Sequence, residues 1–108
     1  MVKPVVLREQ ANRDVDDVLA WYLNEQAEAA ALGLIDALEQ AYGHISRHPA
    51  TGSPHYAHEL NLPGLRVWPL KRYPYLVFYV ERSDHVDVWR VLQGQREIPA
   101  WMQEPEDI

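Results

Sequence analysis

The sequence predicts an α+β domain: an antiparallel β-sheet meander packed against an N-terminal helical hairpin. Three observations predict it. Two apolar stripes at helical spacing, Val15-Val18-Leu19-Tyr22 and Ala31-Leu34-Ile35-Leu38-Ala41-Tyr42-Ile45, lie in the first half of the chain. Three runs rich in valine and aromatic residues, 65–70, 75–81 and 86–92, lie in the second half and are divided by turn residues. One short Val/Leu run, 3–7, precedes the first helix. The order is therefore strand, two helices, three strands.

Taken in order, residues 3–7 read as a short strand, with Pro4 at its start or on an edge because proline offers no N–H to a ladder. Asn12 or Asp14 is the expected cap of the first helix. Asp14, Asp16 and Asp17 then fall in its first turns, where carboxylates suit the positive end of the helix dipole. Trp21 lies off the apolar stripe, at its margin. Residues 24–28 form a break, and the second helix spans about 28–47. Gly33 lowers its helix propensity by about 1 kcal/mol and is expected to allow close approach to the first helix. Two helices with a short connection pack antiparallel and need a sheet to cover their apolar faces. Residues 49–54 end the second helix, and the chain through Asn61 reads as a polar loop. Leu62-Pro63-Gly64 is a turn. Pro69 places the 65–70 strand at an edge or bulge. The nearly unbroken apolar run 75–81 reads as a central strand covered in part on both faces. Arg82-Ser83-Asp84-His85 is a turn, and Gly94 permits a bend after the last strand. Residues 98–102 read as a short helix or cap. The expected domain is 1–102, with 103–108 a frayed acidic tail.

Composition limits the functional classes. A chain of 108 residues with 47% apolar side chains fits one folded domain. It has no cysteine, which rules out disulfides and thiolate metal sites. The N-terminal apolar run is too short for a signal peptide. No segment approaches the roughly 20 apolar residues of a membrane helix, so a cytoplasmic protein away from membranes is expected. The net charge of -6 argues against sequence-blind nucleic-acid binding. Residues 1–46 hold three basic and eight acidic side chains, whereas residues 47–98 hold seven and five. A local basic face on the sheet half remains compatible with the acidic total.

Several pieces of the chain then combine. Ala11, Tyr22 and Ala31 mark the helices. His48-Pro49-x-x-Gly52 follows the second helix, and Leu65-Arg66 opens the meander. Tyr75-Leu76-Val77-Phe78-Tyr79 and Val88-Trp89-Arg90-Val91-Leu92-x-Gly94-x-Arg96 complete it. In this order and spacing, residues from about 5 to 99 resemble the ParE/RelE toxins of type II toxin–antitoxin systems, and the ParE branch most closely. The resemblance implies a cytoplasmic growth-arresting toxin, of a kind associated with plasmid stabilisation. It implies inhibition of DNA gyrase and neutralisation by a ParD-like antitoxin in a hetero-oligomer, with no cofactor. RelE-type relatives instead cleave mRNA on the ribosome with Lys/Arg clusters and a proton carrier. Here position 93, where relatives commonly carry histidine, is Gln93, which cannot act as a general acid or base near neutral pH. The alternatives left open are such an mRNA endonuclease and an inactive homologue that only binds antitoxin.

The candidate target-binding residues are Arg72, Arg90, Arg96 and Trp101; no catalytic residue is assigned. Strict alternation puts Arg90 on the same strand face as Val88 and Leu92, so it calls for either an anionic partner outside the chain or a salt bridge to an acid of the helices. Candidate antitoxin contacts are Trp68, Tyr73 and Tyr75, since a domain this small cannot bury all its aromatics and aromatic–arginine clusters are what binding hot spots use. His44 and His48 stand i, i+4, which suits either a metal or two solvated helix-end histidines. No metal site is assigned.

Overall fold

The structure, a computed structural model, describes residues 2–94. Strand β1 (Val5–Leu7) leads into α1 (Glu9–Asn24), a tight turn, and α2 (Glu28–Arg47). A 3-10 turn (Pro49–Thr51) and a short helix α3 (His55–Glu59) follow, then β2 (Leu65–Pro69), β3 (Tyr75–Glu81) and β4 (Val86–Gln93). The sheet order is β1-β4-β3-β2. The last three strands form the expected antiparallel meander, and β1 adds to β4 in parallel. Among the described residues, no helix is long and apolar enough to cross a membrane.

The helical hairpin covers one face of the sheet. Leu34, Leu38, Ala41 and Ile45 of α2 and Ala11 of α1 pack there against Val77, Tyr79, Val86, Val88 and Val91. Ala37 is buried with them, while Ile35 remains 38% exposed. A turn of 100° per residue lines 34, 38, 41 and 45 along one ridge and puts 35 past its margin. Trp21 is likewise 56% exposed. The other face carries a second core of Leu65, Val67, Phe78, Val80 and Leu92, roofed by Tyr56, Ala57 and Leu60. β3 is thus central and covered on both sides. The segment read as a loop supplies that roof: α3 has five residues, too few to show a helical period.

Three further expectations are corrected. α1 begins at Glu9, ahead of both proposed caps, and neither Asn12 nor Asp14 caps it. The N–H of Arg8 donates to Val88 O at 2.9 Å, so the strand hands the chain directly into the helix. Gly33 meets Tyr73 of the β2–β3 loop, not the first helix. Finally, β4 carries a bulge. Phe78 pairs with Arg90 and Tyr79 with Val88, leaving Trp89 as the extra residue. The bulge changes the phase of alternation, so Val88 packs in the helix-side core and Leu92 in the opposite one.

Candidate partner-binding surfaces

Arg90 stands next to the bulge and pairs with Phe78. The residue is 2% exposed and its side chain meets Asp14, itself 8% exposed, on α1. Arg90 donates Nε–H to Asp14 Oδ2 at 2.8 Å and Nη2–H to Oδ1 at 3.0 Å. The same carboxylate accepts the backbone N–H of Val91 at 3.0 Å. β1 ends at its pairing with Val88, so the upper edge of β4 has no strand beside it, and Asp14 satisfies one of its donors. Of the two readings of Arg90, the salt bridge to a helical acid is the one found. Arg90 is therefore removed from the target-contact set: a buried, bidentate pair has no face to offer a partner.

Beside this pair lies a cleft of about 440 Å³, lined by Asp14, Asp17, Val18, Trp21, Tyr75 and Gln93 among others. It runs between α1 and the uncovered end of β4. Two carboxyl groups and two aromatic rings dominate its chemistry. Tyr75 is half-buried in its wall and close to Tyr22, whose hydroxyl pKa is raised by burial first and by Tyr75 second.

Tyr73 and Trp68 are both half-buried and both engaged. The Tyr73 hydroxyl donates to Ala30 O at 2.8 Å and lies over Gly33, where a Cβ would collide with it. Its ring meets Tyr22 edge-on at 6.1 Å. Trp68 stacks on His44 at 4.2 Å with 14° between the rings. His44 Nε2 in turn lies 3.0 Å from Thr51 Oγ1. His44 therefore has local partners, and no group of three metal-ligating side chains occurs among the described residues. Between Trp68 and Tyr73, the β2–β3 loop exposes Lys71 and Arg72, with Arg72 at φ 69°. Arg96 and Trp101 lie outside the described residues, as do the proposed 98–102 helix and the 103–108 tail.

One polar cluster was not singled out from the sequence. Asp87 accepts from Arg8 at 3.1 and 3.2 Å, from Arg82 at 3.1 and 3.2 Å and from the Trp89 indole at 3.1 Å. The Arg8 guanidinium also lies 4.4 Å over the Trp89 ring. Burial pushes the Asp87 pKa up, but these hydrogen bonds outweigh it and hold the carboxyl below its usual range. Arg82 and Asp87 stand five apart across a turn, which was the available signal. Arg8 and Trp89 join only through the parallel pairing and the bulge.

Residues 5–98 match the family model described as the ParE toxin of the type II toxin–antitoxin system parDE. The chain belongs to the ParE toxin family. No curated protein matches it. A solved structure titled "Chromosomal ParDE TA system from P. aeruginosa" is similar in fold, with a TM-score of 0.69 at 16% identity, covering 85% of this chain and 96% of that one.

The family-like His48-Pro49-x-x-Gly52 segment has a physical role in this ParE-family fold. The Tyr79 hydroxyl, at the centre of the sheet, accepts from the Gly52 N–H at 3.0 Å and donates to Pro49 O at 2.8 Å. A Cβ on Gly52 would collide with that hydroxyl. Arg66, the cross-strand neighbour of Tyr79, donates to the Gly52 carbonyl at 2.8 Å. The motif ties the chain leaving α2 to the middle of β3. Arg66 is committed to that tie.

Proposed function

We propose that this ParE-family protein inhibits DNA gyrase, and so replication, and that a ParD-like antitoxin neutralises it. The observation that carries the reading is the chemistry of the cleft where β4 ends. A nuclease site there would need cations to offset phosphate charge and a group to move the proton of a 2′-hydroxyl. The cleft instead presents Asp14, Asp17 and Gln93. With Asp14 already paired to Arg90, Asp17 is the open charge of the cleft, and a carboxylate without a cation beside it repels a phosphodiester, so this surface favours binding over RNA cleavage.

The same cleft suits an antitoxin segment with apolar and basic side chains. Trp21 and Tyr75 offer aromatic area, and Asp17 offers a charge. Tyr75 thus stays a proposed antitoxin contact and gains Trp21 as a neighbour. Trp68 and Tyr73 stay proposed through the ring area their clamps leave open. Arg72, Arg96 and Trp101 stay proposed for the target.

Expression of the chain alone is expected to arrest growth, with DNA breaks and intact mRNA, and a ParD-like partner is expected to restore growth. Arrest with cut mRNA and intact DNA would move the protein to the nuclease branch. Absence of arrest would mark an inactive homologue that only binds antitoxin.

A further inference from the structure

The positive charge of this protein is mostly spent internally. Lys3 pairs with Glu81, Arg8 and Arg82 with Asp87, Arg13 with Glu9 and Arg90 with Asp14. Arg66 is used on a backbone carbonyl. Lys71 and Arg72 differ. Like the exposed Arg47 at the end of α2, they have no ion-pair or hydrogen-bond partner among the described residues; unlike it, they stand as an adjacent pair. They overhang a concavity of about 500 Å³ whose α2 wall includes Gly33, Asp36 and Gln40.

The loop that carries them is held at both ends. Leu70 is 6% exposed, and its N–H donates to Tyr75 O at 3.0 Å. Tyr73 is tied to Ala30 O and seated on Gly33. Between these anchors Arg72 takes φ 69°, a left-handed conformation that favours glycine or asparagine. Of the other non-glycine residues with positive φ, Gln26 closes a helix and Asn61 is a residue type that tolerates the conformation. Arg72 has neither explanation. A residue kept in an unfavourable backbone state, on an anchored loop, with its charge uncompensated, is a place where side-chain identity outranks local stability.

We propose that Lys71 and Arg72 form a preorganised anion-recognition site for an acidic segment of the toxin's protein target, with paired carboxylates as the ligand. Arg72 supplies the planar fork that fits a carboxylate bidentately, and Lys71 the neighbouring point charge. Gln40 adds a neutral donor from the α2 wall. Net charge decides between a protein and a nucleic acid. A chain at -6 repels a long polyanion, whereas one or two carboxylates reach these two cations with Asp36 the one acid among the lining residues. The surrounding acidity also orients the encounter, since an acidic partner gains by approaching this paired charge.

This proposal rests on the gyrase reading above and is tested so that the two fail separately. The full chain and its Arg72→Asn and Lys71→Gln variants are compared for gyrase binding at low and high salt, for antitoxin binding, for melting temperature and for growth arrest. Asparagine keeps the left-handed backbone and removes the charge. Arg72→Asn is expected to weaken gyrase binding about tenfold or more and to flatten its salt dependence. Its melting temperature should be unchanged or raised, and its antitoxin affinity unchanged. Gyrase binding equal to the unsubstituted chain would overturn the proposal. If the unsubstituted chain does not bind gyrase, the gyrase reading fails and growth arrest takes over as readout. Arrest relieved by Arg72→Asn at an intact melting temperature then supports the site, and arrest undiminished overturns it. Absence of arrest by the unsubstituted chain overturns both.

Discussion

At the scale of single residues, Asp14 and Arg90 show how an arginine placed in a strand is kept. Burying a guanidinium is costly unless its donors are met, and here one carboxylate meets two of them and a backbone N–H as well. Arg90→Ala would leave Asp14 buried without its cation. It is expected to destabilise the fold by about 3–5 kcal/mol, read as a lowered urea midpoint. Loss of toxicity in that variant would then report folding, not target contact. If Arg90→Ala kept its midpoint and lost activity, Arg90 would return to the target-binding set. The sequence allowed both readings of Arg90. Deciding between them required the contact with Asp14, 76 residues away along the chain, which leaves no mark on composition or periodicity.

At the scale of elements, the stretch from α2 into the sheet joins a helix end, a 3-10 turn and two strands through a few polar contacts. Gly52 has no room for a side chain because the Tyr79 hydroxyl occupies the space and bonds to its N–H. Gly52→Ala is therefore expected to cost about 1–3 kcal/mol, measured as a fall in melting temperature. The double variant Gly52→Ala/Tyr79→Phe should recover part of that loss, since removing the hydroxyl makes room. A double variant no better than the single one would contradict the clamp. The elements most legible in the sequence were those with a long, regular apolar period. α2 occupies 28–47 and β3 75–81, both as expected. Less legible were α3, too short for a period, and the start of α1, set by Arg8 against Val88 rather than by a capping side chain.

At the scale of the whole molecule, β1 and β4 bring together residues about eighty apart, and Asp87 secures that junction by holding Arg8, Arg82 and Trp89. Its pKa is lowered in the folded state, because these hydrogen bonds outweigh a burial that pushes it up. A depressed carboxyl stabilises the fold above its unfolded pKa, which is about 3.9. That contribution is lost as pH falls through the folded value. The melting temperature is expected to hold from neutrality to about pH 5 and to fall below about pH 4. Asp87→Asn should be less stable at neutral pH and show a shallower acid decline. An unchanged acid profile in that variant would remove Asp87 from the account. This junction was not legible beforehand, because parallel pairing between the first and last strands has no local signature. Of the aromatic residues proposed for antitoxin contact, Tyr75 lines the cleft, Tyr73 lies in the β2–β3 loop and Trp68 in β2, while Arg96 and Trp101 lie outside the described residues.

The central claim, that this ParE-family protein acts on DNA gyrase, is tested most directly by supercoiling with purified gyrase, in the presence and absence of the protein. The account predicts loss of supercoiling with accumulation of cleaved DNA, reversed by antitoxin. Undiminished supercoiling, with mRNA cut in a parallel translation extract, would contradict it.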